Sequence, residues 1–201
     1  MRLRVTPVLE RLAFRVAHAL LRSSLSHYLE EAPERWRFEA GEHGRPEIVD
    51  PPSGARFRFS LSHTSGLVAC ALILDLAIGV DVEDAARERD VVRIVERMFT
   101  PAERVDVLAR DGDARRARFL DYWTLKEAHL KALGTGMTAP MRELGFELGE
   151  SGSVLVTTGA GVGDAGGPWQ HFSRRVGARH HLGVAVRAPR PVSLRLHAWA
   201  P

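Results

Sequence analysis

Two apolar runs, Leu67 to Leu72 and Leu76 to Val82, constrain the fold more than any other part of the sequence. Both are rich in branched side chains and short, the pattern of buried strands, and a turn near Asp75 separates them. The second run ends in acids. Asp81 and Glu83 are separated by one residue, so in a strand both side chains project from the same face. The remaining strands announce themselves more weakly. Arg35 to Ala40 reads as a short strand, Gly41 to Ser53 as a Gly/Pro-punctuated loop, and Phe57, Phe59 and Leu61 alternate with polar residues as in a half-buried strand.

Helical periodicity dominates two other regions. Leu9, Leu12, Val16, Leu20, Leu21, Leu25, Tyr28 and Leu29 recur at steps of three and four, an amphipathic helix. Val91 to Met98 is a second helix. Thr100-Pro101-Ala102-Glu103 opens a third, with Thr100 as N-cap, Pro101 at the first helical position and Glu103 closing a capping box. Asp113 to Leu133 is a longer helix stopped by Gly134. Beyond it, Gly145 to Leu148, Val154 to Thr157, Trp169 to Phe172, His181 to Val186 and Leu194 to Trp199 read as strands between Gly-rich turns. The whole is α+β in two halves.

The composition excludes several classes. With 201 residues, 45% of them apolar, the chain can bury one sizeable core or two small ones. A formal charge of +3 with mixed signs is far from a nucleic-acid-binding signature. The apolar stretches are too short to span a bilayer as helices, and charged residues interrupt any secretory signal near the N-terminus. Cys70 is the lone cysteine, which points to a reducing, cytoplasmic setting. Neither a P-loop nor a dinucleotide fingerprint is present, and no Cys/His cluster has zinc spacing.

Three groups of residues have chemical potential. The Asp81/Glu83 pair repels itself unless a cation intervenes, and an oxygen-only pair suits Mg²⁺, which fills its other positions with water and substrate phosphate. A solvated strand end explains the same spacing. Trp123, Glu127 and Lys131 fall at i, i+4 and i+8 and share one helix face, either as a third metal carboxylate beside a phosphate-binding cation or as an ordinary surface pair. Arg11, Arg15, His18 and Arg22 line one face of the first helix, a stripe that suits a polyanion or simply the wet side of that helix.

Taken in order, Gly44-Arg45-Pro46, Phe59-Ser60-Leu61-Ser62-His63-Thr64, Ile78-Gly79-Val80-Asp81-Val82-Glu83 and Trp123-Thr124-Leu125-Lys126-Glu127-Ala128-His129-Leu130-Lys131 resemble the motifs of the surfactin-type (Sfp-like) 4′-phosphopantetheinyl transferases. That resemblance implies two similar α/β subdomains related by pseudo-twofold symmetry, residues 1–77 and 78–201, with coenzyme A in the cleft between them. It implies a monomeric enzyme that moves phosphopantetheine from coenzyme A to a serine of an acyl or peptidyl carrier protein. Asp81, Glu83 and Glu127 would be the Mg²⁺ ligands. Lys131 would contact the transferred phosphate, Lys126 of the same motif would be a further catalytic residue, and either Glu127 or a metal-bound water would be the base. Arg45, Ser62 and His63 would hold the nucleotide and its 3′-phosphate, with His63 on a loop after its strand. The family's usual first strand has no counterpart, and Arg11, Arg15 and Arg22 are the basic residues left to replace its contribution. Glu103 aligns with an acid sometimes given a catalytic part, but its capping box explains it. Two other readings use the same residues: a Mg²⁺-dependent phosphohydrolase, and a non-catalytic module that docks acidic carrier proteins.

Overall fold

A computed structural model describes residues 7–41, 46–51, 54, 56–134, 140–149, 154–158 and 168–199. Helix α1 (Pro7–Leu29) is followed by a hairpin of β1 (Arg37–Ala40) and β2 (Pro46–Val49), then by a second hairpin of β3 (Phe57–Thr64) and β4 (Leu67–Leu74). Strand β5 (Ile78–Asp84) leads into α2 (Val91–Met98), α3 (Pro101–Leu108) and α4 (Gly112–Leu133). The chain then forms β6 (Leu144–Leu148), β7 (Val154–Thr158), β8 (Trp169–Val176) and β9 (His180–Arg187). Strands β5, β9 and β8 make an antiparallel sheet in that order, while β6 pairs with β7.

Mixed helices and antiparallel sheets agree with the α+β expectation. Two local expectations fail. Pro46–Val49 lies in the segment read as loop yet pairs with β1, because Ile48 can pack against the α1 core once Phe38 is beside it. Leu194 to Trp199 is irregular and joins no sheet. Its alternation is used differently: Val192 and Leu194 cover the apolar edge of the β5/β9 sheet without pairing in it.

Strand β5 is buried along its full length, and its two faces meet different partners. Ile78, Val80 and Val82 join Leu182, Val184 and Val186 of β9 in a core covered by Leu67, Ala69, Ala71 and Ile73 of β4. Gly79, Asp81 and Glu83 point the other way, toward α4. Gly79 makes that approach possible: a Cβ there would lie 1.9 Å from the Ala128 carbonyl oxygen, and one at Gly183 would lie 2.4 Å from the Thr124 backbone. Helix α4 can therefore sit directly on the sheet. It ends where Gly134 takes φ +76° and gives its N–H to the Leu130 carbonyl.

Strand β3 meets β5 through side chains. Ser60 Oγ accepts the Val80 N–H at 3.0 Å and Ser62 Oγ accepts the Val82 N–H at 3.2 Å. Buried backbone donors that lack a strand partner are thus satisfied by two serines on one face of β3. The opposite face of β3 carries Phe57, Phe59 and Leu61 onto Leu21 and Leu25 of α1 and onto Trp36. Cys70 belongs to the same cluster, and burial pushes its thiol up to about 12, which leaves it inert. Among the described residues no helix is long and apolar enough to cross a membrane.

Candidate functional site

The close approach of α4 to β5 brings two short patterns together. Lys131 Nζ lies 2.7 Å from Asp81 Oδ1, 3.0 Å from Ser62 Oγ and 3.1 Å from the Val80 carbonyl, so its three donors are all placed. Ser62 also donates to Asp81 Oδ1 at 2.9 Å. At the other end of the stripe Trp123 donates its indole N–H to Glu83 Oε1 at 3.2 Å. Glu127 stands between these residues on the helix. The stripe Trp123, Glu127, Lys131 therefore faces the Asp81/Glu83 face, with the helix antiparallel to the strand.

Charge in this site is under-compensated. Burial pushes the Asp81 carboxyl above the ordinary carboxylate range, and Glu83 adds to this, against the pull of Lys131 and Ser62. Burial first, then the charges of Asp81 and Glu83, raise Glu127 to about 7. Asp81 Oδ2 and Glu127 Oε1 are buried with no hydrogen-bond partner. Glu83 differs, because Oε2 pairs with Arg89 at 2.5 Å while Oε1 holds Trp123.

Two orphaned carboxylate oxygens and a third carboxylate close by fit a hard divalent cation, which takes oxygen ligands and relieves like-charge repulsion. Among the described residues no three such side chains already stand at ligand distances from one point. A separate cleft lined by Arg58, Asp75, Ala77, Ala132, Trp169 and Arg187 opens near the start of β5, and none of Asp81, Glu83 and Glu127 lines it.

The other site expectations divide. Ser62 joins the cluster. His63 does not sit on a loop: β3 continues through Thr64, and His63 is exposed on the face opposite Ser62. Arg45 lies outside the described residues, as does the side chain of Arg11. Arg15 is exposed on α1. Arg22 is committed to the fold: it donates to the carbonyls of Pro33 (2.8 Å) and Trp36 and stacks over Phe38 with 5.1 Å to the ring centroid.

Lys126, expected beside the reaction, is buried on the opposite side of α4. Its ammonium lies 2.8 Å from Glu103 Oε2 and donates to the carbonyls of Met141 (2.9 Å) and Leu144. Five positions separate it from Lys131, which turns it through roughly 140° around a helix of 3.6 residues per turn. The Thr100/Glu103 capping box is present, with Glu103 Oε2 accepting the Thr100 N–H at 2.9 Å. Glu103 does more than cap, since Oε1 also accepts the Phe146 N–H at 3.0 Å.

Sequence reasoning passed over Ser60, the Gly79 and Gly183 approach, and Arg89. The alternation of Ser60 and Ser62 against Phe59 and Leu61 was a usable signal for the first. Arg89 had none, because it reaches Glu83 across a turn rather than along a helix or strand.

A family model described as the 4′-phosphopantetheinyl transferase superfamily matches residues 77–185. The chain is 32% identical over 138 residues to the 4′-phosphopantetheinyl transferase HetI of Nostoc sp., covering 69% of this chain and 58% of that protein. It is 31% identical over 137 residues to the 4′-phosphopantetheinyl transferase Sfp of Bacillus subtilis, covering 68% and 58%. The matches thus span less than two thirds of the length of these relatives. The crystal structure of Thermotoga maritima holo-(acyl-carrier-protein) synthase superposes with a TM-score of 0.47 at 24% identity, covering 57% of this chain and 65% of that one.

Proposed function

The chain belongs to the 4′-phosphopantetheinyl transferase superfamily, and from that premise we propose that it transfers the 4′-phosphopantetheine group of coenzyme A to a serine of an apo acyl or peptidyl carrier protein. The observation that carries this reading is the Asp81–Ser62–Lys131 knot beside the unpartnered oxygens of Asp81 and Glu127, inside the matched region.

In the transfer, the serine oxygen bonds to the phosphorus that carries pantetheine. The bond from that phosphorus to the bridging oxygen breaks, and its electron pair leaves on adenosine 3′,5′-bisphosphate. Lys131 supplies a fixed positive charge beside the reacting phosphoryl group, and Asp81 and Ser62 hold its ammonium in place. Glu127 is the chain's own candidate acceptor for the serine proton. Asp81 and Glu127 would hold a Mg²⁺ ion, with Glu83 as the third carboxylate of the cluster. When bound, such an ion neutralises bridging phosphates and stabilises the leaving oxygen.

His63, Arg15, Arg11 and Arg45 remain the groups proposed for the nucleotide end. The finer parts of the reading are a Mg²⁺ requirement, a coenzyme A cleft between residues 1–77 and 78–201, a monomer, a cytoplasmic location, and carriers of fatty-acid, polyketide or peptide synthesis.

Intact mass spectrometry of apo carrier proteins incubated with this protein, coenzyme A and Mg²⁺ tests the proposal. The expected result is a metal-dependent gain of one phosphopantetheine group. A folded protein that adds no such mass to any carrier in a panel of the three types overturns it. Coenzyme A breakdown in the absence of a carrier would favour the phosphohydrolase.

A further inference from the structure

The separate cleft near the start of β5 has a volume of about 280 Å³, and its walls are set by backbone pairing. On one side Arg58 of β3 pairs with Ile73 of β4, and the turn that follows β4 is tied back where the Asp75 N–H reaches the Arg56 carbonyl at 2.9 Å. On the other side Trp169 of β8 pairs with Arg187 of β9. The Arg187 N–H donates to the Ala77 carbonyl at 3.0 Å, and the Ala188 N–H donates to the Pro168 carbonyl at 3.0 Å. The rim is thus fixed by hydrogen bonds that do not use the lining side chains.

Those side chains keep their chemistry unspent. Ala77 and Ala132 are small and leave room beside the half-buried Trp169, whose ring packs against His129 with centroids 4.2 Å apart. The Arg187 guanidinium lies over the same indole, 6.0 Å from its centroid. Among the described residues Arg187 forms no ion pair, and Arg58 reaches only Glu47, 3.2 Å away with both side chains half exposed. An exposed pair of that kind holds an arginine weakly. Asp75 lines the same opening and pairs with neither arginine.

Two guanidinium groups around one concavity favour an anion between them, and their planar forks match carboxylate or phosphate oxygens. An indole wall in an opening of this size suits a single flat ring. Asp75 bars a second negative charge at its end of the cleft and offers an acceptor for a hydroxyl or amino group on that ring.

We propose that this cleft is a second binding site, for a small aromatic oxyanion whose ring lies on Trp169 and whose carboxylate or phosphate lies between Arg58 and Arg187. The site stands apart from Asp81, Glu83 and Glu127 and does not depend on the transferase reading.

The test is ligand-observed nuclear magnetic resonance titration of the full chain with 4-hydroxybenzoate and, separately, phenyl phosphate. At least one should bind saturably with a dissociation constant on the order of 1 mM or tighter, and the tighter of the two gives the head group. Arg187→Gln and Arg58→Gln should each weaken that binding by about tenfold, through loss of a charge-assisted hydrogen bond. Trp169→Leu should weaken it by about fivefold, and cyclohexanecarboxylate, which lacks the flat ring, should bind the wild type more weakly than 4-hydroxybenzoate does. Asp81→Asn should bind the probes as the wild type does.

Absence of saturable binding of both probes to the folded protein overturns the inference. So does displacement of the bound probe by coenzyme A, which would put it in the reaction site. Arginine variants of lowered melting temperature and unchanged probe affinity overturn it too, since the two cations would then merely offset the C-terminal end of α4. Arg58→Gln removes an exposed side chain and keeps the test open should Arg187→Gln fail to fold.

Discussion

Helix α4 carries a lysine–carboxylate pair on each of two faces, and the pairs are built to opposite standards. On one face Lys126 and Glu103 are wholly out of water, and Glu103 uses both oxygens, on Lys126, the Thr100 N–H and the Phe146 N–H. On the other face Lys131 is 32% exposed, and its partner Asp81 leaves Oδ2 unused beside the equally unused Oε1 of Glu127. A buried charge is tolerable when every polar atom around it is satisfied. The Lys126–Glu103 pair meets that condition and is therefore part of the scaffold. The second leaves it unmet, with carboxyl groups pushed above their ordinary range, which fits the cation and anionic substrate proposed for this site.

The sharpest way to break the comparison is to cut the dry pair. Lys126→Met strands the Glu103 charge and should cost about 3–5 kcal/mol of unfolding free energy, measured by urea titration. Adding Glu103→Gln, which keeps an acceptor for the cap but drops the charge, should return part of that loss. If Lys126→Met unfolds no more easily than Lys131→Met, the two faces do not differ in the way described.

The wet pair should fail in activity instead. Asp81→Asn is expected to reduce carrier loading at least about a hundredfold in initial-rate assays. Its loss of stability should be small beside that of Lys126→Met, since burial already disfavours the Asp81 charge.

The smallest effect concerns protons on the dry face. There His129 Nδ1 meets His171 Nε2 at 3.0 Å, and His171 packs edge-on against Phe146. Burial lowers the two imidazoles to about 4 and about 3. An unfolded imidazole takes its proton near 6.5, so below that pH the unfolded state binds more protons and stability falls as pH falls. His171→Phe should make this acid limb shallower by up to about 1.4 kcal/mol per pH unit, read from melts between pH 6.5 and 4. An unchanged slope would mean that the face tolerates charge there and is less dry than its contacts indicate.

Much of this contrast was legible in local pattern. The spacing of Asp81 and Glu83, the stripe Trp123, Glu127, Lys131, the capping box at Thr100 and the stop at Gly134 depend on residues within eight positions of one another, where strand and helix periods dictate which side chains share a face. Local periodicity therefore dictates which groups are offered together on each element. What each group meets depends on how the elements pack. Lys126 and Lys131 look alike in the sequence, but the partners of the first come from Glu103, Met141 and Leu144 and those of the second from Ser62, Val80 and Asp81. Arg22, a candidate ligand-binding residue by its place in the basic stripe, donates instead to Pro33 and Trp36, and Arg89, which no local pattern marks, holds Glu83. The reason is physical: the worth of a charge depends on its burial and on the donors and acceptors within about 3 Å, and those are supplied by distant segments once α4 has settled onto the sheet at Gly79 and Gly183.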